Sequence, residues 1–475
     1  MFESINPATG ERIAQFAPAS SSEIDAALDR AVRGQRAWYA AGFEGRASVL
    51  LAAAERLRQS TGPLAELAAN EMGKPVTQGR AEIEKCALLC EHFAREGEAM
   101  LASECHDIEG GRVELAYEPL GVIFSVTPWN FPFWQIVRAA IPTLSSGNAV
   151  LNKPAPNVIG CARALIGLFA EAGMPAGAFQ TIDLTNEDAS RVIADDRIAG
   201  VALTGSERAG SAVAGAAGKA LKKSVLELGG SDPFIVLADA DIDGAAQAAA
   251  RSRFANAGQV CIASKRLIVE APVRKAFEDA FLKACAQYQP GDPLSDATTL
   301  GPMARSDLRD ELDGIVRQSI AAGSRVLAAG GVVEGAGWFY APTVLADAPE
   351  NAPALTRETF GPAAVILTAK DADQAVVIAN RSQYGLSANM WTTDLDRARV
   401  LRVRSIMEPG EATGEISGEV EANDNLESVI ARSGGALEPR YRVMKDGKPV
   451  GMVAMPMIMR ALVPSRSQAD HARAV

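Results

Sequence analysis

The sequence predicts an α/β fold of two domains followed by a tail of different character, and three observations carry that prediction. Short strand-like apolar runs alternate with helical patterns from Pro119 onward, the signature of parallel sheets joined by helical crossovers. At 475 residues the chain is longer than one hydrophobic core usually serves. Past Arg404 the alternation stops and the composition turns acidic.

Taken in order, Asn6-Pro7-Ala8-Thr9-Gly10 is a turn signal before an extended stretch. Between Ser22 and about Ser60, Ile24, Ala27, Leu28 and Ala31 recur at three- and four-residue steps, which predicts helix. Helical spacing continues from Pro63 to Leu101, broken at Met72-Gly73-Lys74-Pro75. Gly110-Gly111 and the alternating run 113–117 predict a projecting hairpin near 108–119, an edge available for pairing with another subunit. Strands are expected at 122–127, 149–152, 179–182, 200–204 and 225–228, with a helix at 157–172 stopped by Gly173. A second series follows: strand 233–237, helix 242–253, strand 265–270, helix 272–288, and a strand at 388–391 before a helix from Asp394. The expected divisions are 1–228, 229–404 and a tail at 405–475. In that tail, residues 407–428 carry seven acids and no Lys or Arg, which predicts a solvated linker. Beyond it the pattern predicts strand 441–444, a turn at Asp446-Gly447, strand 449–454 and a short helix near 457–462.

Composition narrows the function. A net charge of −11 argues against nucleic acid as a partner and leaves small molecules. No run of about 18 apolar residues or leader-like N-terminus occurs, so no membrane span is expected. Six cysteines in so long a chain, without Cys-x-x-Cys pairs or Cys/His clusters, predict reduced thiols in a cytoplasm and no metal site. The three histidines, His92, His106 and His471, lie far from the glycine-rich motifs, so any base is expected to be a carboxylate.

The stretch from Val225 to Ser264 offers such a carboxylate and a nucleophile. Cys261 ends Asn256-Ala257-Gly258-Gln259-Val260, a loop-like setting that exposes a thiol to backbone donors, although a buried small hydrophobe is the commoner fate of cysteine. Glu227 stands between Leu226 and Leu228, where burial would raise its pKa toward that of a general base; the bland reading is an edge-strand residue facing water. Asn130, on the proline-fixed turn Pro128-Trp129-Asn130-Phe131-Pro132, offers an amide donor for an oxyanion, or merely stabilises the turn. Lys153 follows a strand and suits a ribose or phosphate, though lone lysines are usually just solvated. Gly205-Ser206 joins a strand to a helix start and suits a phosphate, with an ordinary tight turn as the alternative.

In order and spacing, the motifs Pro128-Trp129-Asn130-Phe131-Pro132, Asn152-Lys153-Pro154, Gly205-Ser206, Leu226-Glu227-Leu228-Gly229-Gly230, Gly258-Gln259-Val260-Cys261 and Glu358-Thr359-Phe360-Gly361-Pro362 resemble the aldehyde dehydrogenase superfamily over about residues 3–403. The resemblance implies a Rossmann-type cofactor domain, an α/β catalytic domain and an NAD or NADP cofactor. It implies Cys261 as nucleophile, Asn130 as oxyanion donor and Glu227 as the base that activates water. It also implies cofactor contacts from Trp129, Lys153, Gly205, Ser206, Glu358 and Phe360. Within the superfamily the chain most resembles bacterial succinate-semialdehyde dehydrogenases, in which Arg138 would grip the substrate carboxylate. A second arginine that some relatives carry is Ala255 here, and the glutamate that many carry three residues past the cofactor lysine is Pro156, which leaves NAD and NADP both open. The family implies a homodimer or homotetramer, but its closing segment and final pairing strand are not recognisable after Arg404. The tail instead resembles the end of a CBS-type domain, as after a frameshift, fusion or rearrangement. The alternative to an active dehydrogenase is therefore a remnant that binds cofactor without turnover.

Overall fold

The computed structural model describes residues 1–394 and, beyond them, four strands at Glu408–Pro409, Gly418–Glu421, Arg440–Lys445 and Lys448–Ala454. Strands β1 (Phe2–Ile5) and β2 (Arg12–Phe16) pair antiparallel around the Asn6 turn, where the Ala8 N–H donates to Asn6 Oδ1 at 2.9 Å. Helix α1 (Ser21–Ala40) opens with a capping box in which Ser20 and Glu23 satisfy each other's backbone N–H. The helix expected to continue to Ser60 breaks instead at Ala41, because Gly42 takes φ +66° and turns the chain into α2 (Gly42–Gln59). Helices α3 (Thr61–Met72) and α4 (Val76–Met100) are separated where expected, at Gly73-Lys74-Pro75.

That break holds a buried ion pair that shapes the site. The Lys74 ammonium pairs with Glu82, both side chains almost fully buried, and lies 3.7 Å from the centroid of the Phe131 ring. Glu82 Oε1 also accepts the N–H groups of Phe133 at 2.9 Å and Trp134 at 2.8 Å, at the start of α5 (Trp134–Ser145). The pair therefore fixes the turn that carries Asn130. Removing one partner would strand the other charge, at a cost of about 3–5 kcal/mol.

The hairpin runs through β3 (Glu104–Ile108) and β4 (Gly111–Leu115), a few residues earlier than expected, with Ile108, Val113 and Leu115 exposed. The first large sheet then forms from β5 (Val122–Val126), β6 (Ala149–Lys153), β7 (Phe179–Thr181), β8 (Ile198–Thr204) and β9 (Lys223–Glu227). Its strands are parallel in the order β7-β6-β5-β8-β9, linked by α5, α6 (Ile159–Glu171), α7 (Asn186–Ala194) and α8 (Glu207–Lys219). Gly173 ends α6 as expected, at φ +98°.

Residues 228–231 lead to a second sheet. Its first strands are β10 (Asp232–Val236) and β11 (Ser264–Glu270), separated by α9 (Ile242–Phe254). Helices α10 (Arg274–Cys285) and α11 (Ser306–Ala321) precede β12 (Arg325–Ala328), the short pair β13 (Gly331–Val332) and β14 (Tyr340–Ala341), and β15 (Thr343–Ala346). After α12 (Pro353–Thr356) come β16 (Ala363–Ala369), α13 (Ala372–Asn380) and β17 (Asn389–Trp391). The six-stranded order is β12-β15-β16-β11-β10-β17, parallel except for β12. All seven residues of β11 are buried, as in a parallel strand covered on both faces.

The tail strands, β18 (Glu408–Pro409), β19 (Gly418–Glu421), β20 (Arg440–Lys445) and β21 (Lys448–Ala454), form a sheet in the order β18-β21-β20-β19. The two expected strands pair antiparallel, with Lys445 opposite Lys448, and the turn expected at Asp446-Gly447 lies outside the described residues. Within the segment 407–428, read as a linker, the structure describes β18 and β19, which pair with β21 and β20, and the other residues of that segment lie outside the described residues. The helix from Asp394 and the short helix near 457–462 lie outside the described residues. No helix among the described residues is long and apolar enough to cross a membrane.

Candidate active site

In the first sheet the chain leaves β5 for β6 and β7 on one side, then returns to β8 and β9 on the other. The crevice outside the carboxyl ends of β5 and β8 is the switch point at which such sheets bind ligands. A cavity of about 480 Å³ opens there. Trp129 and Asn130 line it from the turn after β5, and Thr204, Gly205 and Ser206 from the end of β8. The second sheet contributes Cys261, Glu358, Phe360 and Tyr384.

Cys261 is held by an unusual loop. Asn256 and Ala257 take φ values of 52° and 53°, and Gly258 follows at 71°. Asparagine tolerates that left-handed conformation, whereas alanine is strained in it, so surrounding bonds must hold the loop. Gln259 does so by donating to Asn256 O at 3.0 Å and accepting the Ala304 N–H at 2.9 Å. Gly258 is required for close approach, because a Cβ there would sit 2.4 Å from Gly361 O. Buried Arg253 ties the same two segments by donating to Gly258 O at 3.1 Å, Thr359 O at 3.0 Å and Gly361 O. Burial lowers its pKa to about 9.

The loop leaves Cys261 half-buried on the cavity wall. Burial pushes its thiol above the ordinary value, opposed by the Lys265 ammonium, the Ile262 N–H and the Arg138 guanidinium. Its own backbone N–H donates to no acceptor among the described residues. Asn130 is buried beside it, with Nδ2 donating to Gln259 O at 3.0 Å and its main-chain O accepting from Asn256 Nδ2 at 2.7 Å. The amide carries two hydrogens and spends one on Gln259, so one remains for the cavity.

The cavity thus gathers Trp129, Asn130, Gly205, Ser206, Cys261, Glu358 and Phe360 from the residues singled out by sequence. Trp129 and Phe360 meet edge to face, with ring centroids 5.7 Å apart. Ser206 caps α8, accepting the Ala209 N–H at 3.3 Å, so the positive end of that helix opens on the cavity. Glu358 Oε1 accepts the Gly230 N–H at 3.1 Å, and a Cβ on Gly229 would meet Glu358 Oε2 at 2.5 Å.

Three of the singled-out residues do not line the cavity. Lys153 is buried at the end of β6, where burial lowers its pKa, and its ammonium has no hydrogen-bond or ion-pair partner among the described residues. Glu227 and Arg138 instead meet each other, Nη1 to Oε1 at 3.4 Å, while Arg138 Nη2 lies 3.3 Å from Thr204 Oγ1. The expectation that flanking leucines bury Glu227 is corrected: its side chain is 40% exposed. The reason is that β9 is the edge strand of its sheet.

Two cations escaped the sequence reading. Lys85 on α4 holds its ammonium 3.8 Å from the centroid of the Trp134 ring, where burial first and then Arg138 among the surrounding charges lower its pKa. Lys265 is wholly buried at the start of β11 and donates to Cys261 O at 2.6 Å and Val260 O at 3.1 Å. A lysine opening the apolar run of β11 is the only sequence signal for it, and it reads equally as a solvated strand end.

A family model described as the aldehyde dehydrogenase family matches residues 1–413. The chain is 46% identical over 401 residues to succinate semialdehyde dehydrogenase [NAD(P)+] Sad of Escherichia coli, covering 84% of this chain and 87% of that protein. It is 44% identical over 397 residues to a probable succinate-semialdehyde dehydrogenase [NADP(+)] of Synechocystis, with coverages of 84% and 87%. Among solved structures, succinic semialdehyde dehydrogenase from Streptococcus pyogenes in complex with NADP+ matches with a TM-score of 0.82 at 32% identity, covering 84% of this chain and 88% of that one.

Proposed function

The chain belongs to the aldehyde dehydrogenase family, and from that premise we propose that it oxidises succinate semialdehyde to succinate with NAD or NADP, through a thioester on Cys261. One observation carries the reading: a thiol, a free amide hydrogen, an unspent backbone N–H and an open helix start face one cavity at the switch point.

The residues suit a nicotinamide dinucleotide. Lys153, whose buried ammonium has no partner among the described residues, would serve a ribose hydroxyl, Gly205 and Ser206 would present the start of α8 to phosphate, and Glu358 would offer its carboxylate to the second ribose. Trp129 and Phe360 form the apolar wall. Pro156, which opens a short 3-10 turn, supplies no carboxylate that would repel a 2′-phosphate, which leaves NAD and NADP both open. When bound, the nicotinamide supplies the hydride acceptor.

The Cys261 thiolate adds to the aldehyde carbon and forms a thiohemiacetal. Its oxyanion takes the free hydrogen of Asn130 Nδ2 and the Cys261 N–H. Loss of hydride leaves the thioester. Glu227 then takes a proton from water, the hydroxide adds to the thioester carbonyl, and the acid departs as the thiolate is restored. This two-step route needs no histidine or metal.

Arg138 grips the far carboxylate of the substrate, with the Lys85 charge beside it standing in for an arginine at Ala255. A guanidinium paired with Glu227 must exchange that partner for the substrate, so an acidic substrate also frees the base. The test is growth of the reduced-nicotinamide absorbance with succinate semialdehyde and each cofactor. Arg138→Gln is expected to lower kcat/KM for succinate semialdehyde about 100-fold, the roughly 3 kcal/mol of a lost charge-assisted pair, and to change that for butanal less than about threefold. Equal losses on both substrates would remove Arg138 from substrate recognition. A folded wild type that binds cofactor without turnover would establish the remnant reading.

The same reading assigns the exposed β3–β4 hairpin to pairing between copies, as a homodimer or homotetramer. The six free thiols support a cytoplasmic setting.

A further inference from the structure

Cys261 and Asn130 must face one reacting carbon together, yet they stand on different elements, Cys261 on the loop before β11 and Asn130 on the turn before α5. Helix α4 touches both. Gln78 Oε1 accepts the Asn256 N–H at 2.7 Å, at the first left-handed residue of the nucleophile loop. One turn later, Glu82 Oε1 accepts the N–H groups of Phe133 at 2.9 Å and Trp134 at 2.8 Å, where the Asn130 turn runs into α5. Residues four apart lie on one face of a helix, so the two acceptors are spaced about 6 Å along a single rigid element. Neither residue lines the cavity or takes part in the reaction steps.

We propose that Gln78 and Glu82 are positioning residues, through which α4 sets the Asn130 amide against the Cys261 backbone N–H so that both reach one oxyanion. The inference rests on the reading of those two groups as the oxyanion donors. The direct bonds between turn and loop do not fix that register alone. They run from Asn130 Nδ2 to Gln259 O at 3.0 Å and from Asn256 Nδ2 to Asn130 O at 2.7 Å, and each uses a side-chain amide that can turn about its own torsions. The α4 acceptors bind backbone N–H groups instead, and so hold the chain itself.

The surroundings keep both acceptors still. Gly79 lets α4 lie close against α3, where a Cβ would meet Ala65 Cβ at 3.0 Å. Gln78 Nε2 donates to Thr299 O at 3.4 Å, which leaves Oε1 to face Asn256. Buried Lys74 pairs with the other oxygen of Glu82 and lies 3.7 Å from the ring centroid of Phe131, on the turn itself. Ala257 explains why the loop needs support from outside. Its left-handed backbone is strained, and without the Gln78 acceptor the loop can relax and carry the Cys261 N–H away from Asn130.

The test is acylation of Cys261 by p-nitrophenyl acetate, which needs neither cofactor nor aldehyde. The thiolate adds to the ester carbonyl, an oxyanion forms in the same place, and the carbon–oxygen bond breaks to release nitrophenolate. Glu82→Gln would strand the Lys74 charge and threaten folding, so Gln78 carries the test. Gln78→Met keeps the side-chain length without the acceptor, and is expected to slow the nitrophenolate burst about 10- to 100-fold, the scale of a misplaced reacting group. Gln78→Glu keeps an acceptor and is expected to stay within about threefold of wild type. Asn130→Ala is expected to lose about 100-fold, and Gln78→Met added to it less than about threefold more, because a lost amide has no register to keep. Iodoacetamide forms no oxyanion. Its alkylation of Cys261, followed by mass spectrometry of that peptide because Cys105 is exposed as well, is therefore expected to change less than about threefold in Gln78→Met. A Gln78→Met burst within about threefold of wild type, losses that multiply in the double variant, or an equal loss in alkylation overturns the proposal. The burst needs no oxidation, so absence of succinate semialdehyde turnover would sink the substrate reading and leave this test intact.

Discussion

Cys261→Ala is expected to fold, to bind NAD or NADP, and to lose at least about 10⁴-fold in kcat/KM, the scale set by removing a nucleophile that works with its base as one unit. No other thiol can substitute. Cys86, Cys90, Cys161 and Cys285 are buried, and burial drives Cys90 and Cys285 up to about 12. Cys105 is exposed, but on the β3–β4 hairpin, and it does not line the cavity. Cofactor binding is the control, because quenching of protein fluorescence by the nicotinamide reports the cavity without needing the thiol. A variant that keeps within tenfold of wild-type turnover would exclude Cys261 as the nucleophile. Loss of cofactor binding together with turnover would show instead that the left-handed loop at 256–258 had collapsed.

The parts of this site that could be read from the sequence are those in which local chemistry and tertiary placement agree. Cys261 and Glu358 stand in glycine-containing loops at strand ends, and such loops face cavities for the same reason that they contain glycine. Gly258 lets its loop approach Gly361 O, and Gly229 makes room for the Glu358 carboxylate. Both α/β series were legible because strand and helix periods alternate, and β20–β21 was legible because Asp446-Gly447 favours a tight hairpin. For Glu227 the sequence leaves burial and an edge strand facing water both open, and the structure shows the second, for a definite reason. Flanking leucines bury a residue in a central strand, but β9 lies at the sheet edge, where Lys223, Ser224 and Val225 are exposed as well. Strand order is a property of the whole chain, and no window of residues contains it. Lys265 was missed for the converse reason. A lysine at a strand start usually points to water, yet β11 lies inside a six-stranded sheet with β10 and β16 on either side. The tail strands β18 and β19 escaped because acidic, glycine-containing segments carry little strand propensity, and their pairing comes from β21 and β20.

The edge position of Glu227 gives its replacement a distinctive signature. Glu227→Gln keeps the side-chain shape and removes the base, and the steady-state rate is expected to fall about 10²- to 10⁴-fold, the usual contribution of a positioned base. The first turnover is not expected to fall with it, because thiolate addition and loss of hydride precede the need for activated water. Rapid mixing should therefore show about one equivalent of reduced cofactor per site, followed by a slow phase, as thioester accumulates. The substitution also releases Arg138 from its 3.4 Å partner while leaving its contact with Thr204 in place. Succinate, measured as a competitive inhibitor, should then bind about two- to five-fold tighter, the roughly 0.4–1 kcal/mol of a half-exposed ion pair that no longer has to be broken. The combination is the informative result. A first turnover as slow as the steady state would place Glu227 before hydride loss, as the base that activates the Cys261 thiol. Unchanged succinate affinity alongside a normal burst would leave Glu227 as the base and show that it does not compete with substrate for Arg138.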